Sequence, residues 1–172
     1  ITLPITKWSY QIRRAEDVAW AVARAFYIAS TGRPGPVMLD FAKNAQTEVA
    51  EFEYKKCNYR RSYNPYPKLN EQSIKEAARM INEAKKPLLL VGQGVTLGGA
   101  EKEVMALIEK AQIPVATTLL GLSSIPTSHP LNMGMIGMHG NVAPNVMTNE
   151  CDLLIAVGMR FDDRVTAVLD TY

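Results

Sequence analysis

Pro87-Leu88-Leu89-Leu90-Val91-Gly92-Gln93-Gly94 is a short apolar run that ends in a glycine turn. Four apolar residues bounded by Pro and Gly read as a strand buried on both faces. The segments on either side alternate in the same way. Upstream, Asn70 or alternatively Ser73 is placed to cap a helix, with Ile74, Ala77, Ala78, Ile81 and Ala84 as its buried face. Downstream, Gly98-Gly99 opens a second helix, with Val104, Leu107, Ile108 and Ala111 on one side. Pro114 to Thr118 and Asp152 to Val157 are two more strands. Strands separated by helices of this length pair in parallel, so the region from Asn70 onward is expected to be a doubly wound α/β sheet of about three strands.

The region before Asn70 has a different pattern. Val18, Val22, Phe26 and Ala29 recur at helical spacing within Ala15 to Thr31. Gly32 offers a stop, and Pro34 and Pro36 prevent continuation. Pro36 to Phe41 then reads as a buried strand, giving one helix and one sheet strand in this region. From about Ala42 to Leu69, charged residues alternate with Tyr54, Tyr59, Tyr63 and Tyr66, and no period is sustained. This stretch reads as an interdomain linker anchored by its aromatics, because it lacks the sheet motif of an RNA-binding module.

Composition excludes several classes. The 172 residues carry a net charge of only +2, which gives no footprint for nucleic acid. No apolar run reaches the roughly 18 residues of a membrane span, and no secretory leader is visible. Cys57 and Cys151 are far apart and form no metal or disulfide motif, a usage that suits the cytoplasm. There is no Ser-His-Asp pattern and no candidate metal cluster. The sequence enters at Ile1 and stops at Tyr172 just after a new polar stretch begins, so both ends read as cut from a longer chain.

In open parallel sheets, ligands sit beyond the carboxyl ends of the strands. Gly92, Gln93 and Gly94 follow the first strand, with glycines that permit close approach of backbone to phosphate or sugar. They match neither GxGxxG nor a Walker loop, and a plain strand-to-helix turn accounts for them equally well. Thr118 and Leu119 begin the loop after the next strand, which carries no signal alone. In Asn132 to Asn141, glycines recur every third residue with methionines between them, giving soft surface for a flat ring, and His139 stands between two glycines in a loop. Gly158-Met159-Arg160-Phe161-Asp162-Asp163-Arg164 closes the last strand. Its arginine forks suit phosphates and its carboxylates suit ribose hydroxyls, and a salt-bridge cap on the sheet is the structural alternative. Lys7 is a candidate anion contact or an ordinary surface lysine.

Taken together, these segments resemble a known family. Ile5-Thr6-Lys7-Trp8, Ala25-Phe26 and Gly32-Arg33-Pro34-Gly35-Pro36-Val37 resemble the end of the pyrimidine-binding domain of thiamine diphosphate enzymes. Ile113 to Gly121, Gly137-Met138-His139-Gly140 and Arg160-Phe161-Asp162-Asp163-Arg164-Val165-Thr166 resemble the catalytic large subunit of acetohydroxyacid (acetolactate) synthase. The resemblance covers nearly the whole chain. It implies residues 1–45 as the end of the pyrimidine-binding domain, 46–69 as linker, and 70–172 as part of a Rossmann-like central domain that binds FAD. It places flavin contacts at Gly92, Gln93 and Gly94, Thr118 and Leu119, Ile136, Gly137, Met138 and His139, and Gly158, Met159, Arg160, Phe161 and Asp162. Lys7, Asp163 and Arg164 match the substrate and herbicide entrance.

The family condenses two 2-oxo acids with loss of CO2 in branched-chain amino acid synthesis, on thiamine diphosphate with Mg²⁺. It forms homo-oligomers that a regulatory small subunit can join. The activating glutamate and the Gly-Asp-Gly diphosphate motif of the family have no counterpart here, so the chain alone is expected to be inactive. It departs from the family at Gln93 between glycines, at Asn44-Ala45, and at Ala167 where many members have Gly. Glyoxylate carboligase and pyruvate oxidase are rival thiamine enzymes that carry flavin. A nucleotide-binding module without catalytic role is the rival from another class.

Overall fold

The computed structural model describes residues 1–166. It divides into two compact units, Ile1–Leu69 and Asn70–Tyr172. The Ala167 departure lies outside the described residues. Among those residues no helix is long and apolar enough to cross a membrane.

The first unit is a right-sized βαβ module rather than a helix and a single strand. Strand β1 (Trp8–Ile12) pairs in parallel with β2 (Val37–Phe41), from Trp8 opposite Val37 to Ile12 opposite Phe41. Helix α1 (Val18–Ser30) makes the crossover. β1 escaped the sequence reading because Trp-Ser-Tyr-Gln-Ile is neither continuously apolar nor cleanly bounded by turn residues. Ile12, Ala21 and Ala45 form the core, with Tyr10, Val18, Trp20 and Leu39 packed against it. Ala45 comes from a short helix, α2 (Lys43–Thr47), at the start of the expected linker. Beyond it, Val49, Phe52, Tyr59 and Tyr66 are exposed, while Tyr63 is anchored.

Among the described residues the second unit has four parallel strands, one more than the sequence suggests. These are β3 (Pro87–Val91), β4 (Val115–Thr117), β5 (Asn132–Met135) and β6 (Leu153–Val157), ordered β5-β4-β3-β6. The sequence predicts a loop where β5 lies. Asn-Met-Gly-Met is a polar, glycine-bearing edge strand, and its register shifts between Val115 and Ala116 of β4. In chain order the strands run third, second, first, fourth, so the winding reverses between β3 and β6. That is the switch point at which doubly wound sheets hold ligands.

Both faces of this sheet are covered, because alternate residues of β3 point to opposite sides. Leu89 and Val91 join Val115, Val95, Val104, Ile108, Ile113 and Ile125 on one side. Leu88 and Leu90 join Ala116 and Ile136 on the other, against Met147, Cys151, Leu154, Met159 and Val165. The first face is closed by α4 (Gln93–Gly98) and α5 (Glu101–Ala111). Gly98-Gly99 ends α4 rather than opening the next helix, and Ala111 is exposed. α6 (Val142–Glu150) closes the second face. Its Pro144 sits in the first turn, where no intrahelical donor is lost.

Helix α3 (Glu71–Glu83) forms as expected, and Asn70 rather than Ser73 caps it, accepting from the Ser73 amide at 3.2 Å. Its expected buried face is mostly not buried. Ile74, Ala77 and Ala78 are exposed, and only Ile81 and Ala84 are half-buried. Periodicity shows an apolar stripe but not what covers it.

Asp152 ties the start of β6 to the turn before β3. Its two carboxylate oxygens accept from the amides of Lys85 at 2.7 Å and Lys86 at 2.8 Å. These bonds hold its pKa below the usual carboxylate range. A depressed pKa contributes stability above the unfolded value of about 4 and loses it as pH falls through the folded value. Asp152→Ala is therefore expected to lower the melting temperature at pH 7. The gap to the parent should narrow below about pH 4, and a gap that stays constant across a melting series from neutral to acid pH would contradict the assignment.

Candidate functional site

The register pairs Val91 with Val157, so the turns after β3 and β6 leave the sheet side by side. They lock together through backbone. Gly92 N–H donates to Val157 O at 3.0 Å, and Gly94 N–H donates to Gly158 O at 2.7 Å. A Cβ on Gly92 would lie 2.5 Å from Gly158 O, and one on Gly94 would lie 2.6 Å from the Gly158 Cα. These glycines are required first by each other. The sequence leaves an approaching ligand and a plain strand-to-helix turn equally open, and the group that approaches these glycines here is the neighbouring turn. Gln93, between them, is exposed.

The turn after β4 joins the same edge. Thr118 N–H donates to Val91 O at 2.9 Å, and Leu119 and the adjacent Leu120 are exposed at 67% and 64%. The turn after β5 begins with Ile136, whose side chain is core and whose amide donates to Thr117 O. Ile136 therefore offers a ligand at most its backbone. Gly137 is buried, whereas Met138 and His139 are exposed.

β5 and β6 are at opposite ends of the sheet order, yet the turns that follow them meet. Met138 N–H donates to Arg164 O at 3.0 Å, and a Cβ on Gly137 would lie 2.5 Å from that same oxygen. Two motifs that sequence could only list separately are thus brought together over the carboxyl edge. Arg164 belongs to a short helix, α7 (Asp163–Thr166). Asp162 starts that helix, its backbone oxygen taking the Val165 and Thr166 amides at 3.0 and 2.9 Å. Its carboxylate accepts from Arg160 Nε at 3.1 Å. Part of the charged run is therefore the local ion pair and cap that the sequence left open as an alternative. Met159 is half-buried against the second core cluster, while Arg160, Phe161, Asp163 and Arg164 are exposed.

Lys7 belongs to the first unit and has a structural post there. Its ammonium donates to Ile28 O, to Thr31 O at 2.7 Å and to the Tyr63 hydroxyl at 3.2 Å. A cation among the last carbonyls of α1 is favourable for the helix end. Burial raises the Tyr63 pKa, but hydrogen bonds from Thr31 and Lys7 and the charges of Lys7 and Arg60 outweigh it and leave it lowered. An open depression of about 450 Å³ is lined by Lys7, Gly32, Arg33, Pro34, Tyr63, Asn64 and Pro65.

Sequence reasoning missed Leu120, Asn141 and Asn145, which border or support these turns. Asn141 and Asn145 are four residues apart, which would have placed them on one face had the helix been seen. Pro144 between them concealed it.

Comparison with known proteins agrees with this architecture. Residues 74–172 match the family described as thiamine pyrophosphate enzyme, central domain. The whole chain is 44% identical to the acetolactate synthase large subunit of Corynebacterium glutamicum, of which it spans 28%. It is 45% identical over 164 residues to the isozyme 1 large subunit of acetolactate synthase from Escherichia coli, covering 95% of this chain and 28% of that one. A solved structure of an enzyme described as thiamin diphosphate-dependent, from Mycobacterium smegmatis, superposes with a TM-score of 0.71 at 29% identity, covering 92% of this chain and 30% of that one. The chain spans less than a third of the relatives it matches. A doubly wound sheet with its switch point between β3 and β6 lies in the stretch matched from residue 74 to residue 172, and the chain belongs to the thiamine pyrophosphate enzymes, with that stretch as their central domain.

Proposed function

We propose that this chain is part of an acetolactate synthase large subunit and that its second unit holds the adenine dinucleotide of FAD. One observation carries the flavin reading. The turn bearing Met138 and His139 and the turn bearing Arg160 to Arg164 are joined at the carboxyl edge of the sheet by the Met138–Arg164 hydrogen bond. The side chains there suit such a ligand. Leu119, Leu120, Met138 and Phe161 are exposed apolar groups on loops that follow parallel strands, at the edge where doubly wound sheets hold their ligands. Arg160 supplies a fork for phosphate, which would compete with Asp162 for it. Met138 supplies a polarizable surface for a ring. Gly92, Gly94 and Gly158 act indirectly, by keeping the two central turns in register.

On this reading FAD is a structural ligand rather than a redox agent. Thiamine diphosphate with Mg²⁺ supplies the decarboxylation of a 2-oxo acid and the new carbon–carbon bond. This chain orients and shelters: Asp163 and Arg164 border the substrate entrance, and within the first unit Lys7 holds the Gly32–Pro36 turn. The partners are 2-oxo acids and further copies of the large subunit. The chain contains no Gly-Asp-Gly run to anchor diphosphate through metal, so by itself it turns over no pyruvate.

Titrating the chain with FAD is expected to quench flavin fluorescence saturably. A linear response with no saturation would sink the flavin reading. Incubation with pyruvate, thiamine diphosphate and Mg²⁺ is expected to yield no acetolactate, and detection of that product would overturn the inactivity.

A further inference from the structure

Asn145 lies on α6, half-buried beneath the turn after β5. Its carboxamide makes a two-point contact with a single residue. Gly137 N–H donates to Asn145 Oδ1 at 3.0 Å, and Asn145 Nδ2 donates to Gly137 O at 3.0 Å. This reproduces the exchange of both bonds seen in a hydrogen-bonded antiparallel pair, with a side chain in place of a strand. Nδ2 also donates to Asn141 O at 3.1 Å, so both amide donors and one acceptor site of the carboxamide are engaged at this turn and the helix start behind it.

Gly137 is at φ +105° and touches Arg164 O on its other side. The Gly137–Met138 segment is therefore held between Asn145 and Arg164. Asn141 braces the same turn, its Oδ1 accepting from Met135 N–H at 2.9 Å. The seating of α6 does not depend on the Asn145 amide, since Met147 and Cys151 pack it against the second core cluster.

We infer that Asn145 is the positioning residue that presents Met138 and His139 to the bound nucleotide. This rests on the flavin reading above. Asn145 touches no ligand itself. It fixes a peptide whose alternative conformations are many, because a glycine is free to take them.

The test uses the full chain with Asn145→Ala, and Asn149→Ala as the control. Asn149 donates only to Asn145 O on the exposed side of the same helix. Asn145→Ala is expected to speed amide exchange at Gly137 and Met138, to weaken FAD binding about tenfold, and to diminish the circular dichroism induced in the flavin bands. Asn149→Ala should change none of these. If Asn145→Ala does not fold, Asn145→Asp is read in the same way, since it keeps an acceptor for Gly137 N–H and removes the donor to Gly137 O. Unchanged exchange at 137–138, or flavin affinity equal to the parent's, overturns the inference. If the parent binds no FAD while exchange still quickens in the variant, the flavin reading fails and Asn145 is left as a brace of the turn alone.

Discussion

Gly158→Ala is expected to destabilise the chain by about 2–5 kcal/mol, the sum of a left-handed backbone penalty and a clash that cannot relax. Gly158 is at φ +64°. Its new Cβ would lie 2.5 Å from Val95 N and 2.7 Å from the Gly94 carbonyl carbon. Both are backbone atoms, so no rotamer change relieves the overlap. The only escape is to part the β3 and β6 turns, which would break the Gly94 N–H to Gly158 O bond as well. Gly98 is the matched control. It has no neighbour within 4 Å and no positive φ, so Gly98→Ala should be neutral or stabilise by about 0.4–1 kcal/mol through the unfolded state. Denaturant midpoints of the two variants decide the matter. If both midpoints equal the parent's, the β3 and β6 turns are not locked together.

That contrast shows how far sequence reading reaches. Gly92, Gly94 and Gly158 stood out as residues with a task, and the strands leading to them were evident. Continuous apolar runs such as Leu88 to Val91 advertise burial on both faces. What one dimension conceals is which surface each glycine meets. β3 and β6 are 66 residues apart at their final positions, Val91 and Val157 being paired only after the winding reverses. Edge strands were harder still. Trp8 to Ile12 and Asn132 to Met135 pair on one side only among the described residues, so their compositions are not forced to be apolar. The α3 stripe erred in the opposite direction, with a pattern fit for burial on a helix left exposed over Ile74, Ala77 and Ala78. Resemblance proposed the site residues, but the pairing of Met138 with Arg164 needed three dimensions because it joins loops from opposite ends of the sheet, and the brace from Asn145 needed the position of α6.

Leu90→Ala is expected to cost about 2–5 kcal/mol, a large share of the roughly 5–15 kcal/mol that holds an ordinary domain folded. Leu90 is fully buried on the face shared by Ala116 and Ile136, beneath Met159 and Val165. Removing its isopropyl group opens a cavity under the very residues that anchor the turns after β5 and β6. The damage should therefore reach the site as well as the fold, with FAD affinity falling even under conditions where the variant remains folded. Leu89→Ala, on the opposite face with Val104 and Ile108, should cost a similar amount in stability and spare the ligand turns. Ile74→Ala, on the exposed stripe of α3, should change stability by no more than about 0.5 kcal/mol. Denaturation curves rank the three, and flavin titration of the folded variants separates Leu90 from Leu89. Equal loss of affinity in both would mean that the site responds to global stability alone. A lower affinity in Leu90→Ala only would locate the support for the nucleotide on the α6 face of the sheet, the side from which Asn145 reaches the turn.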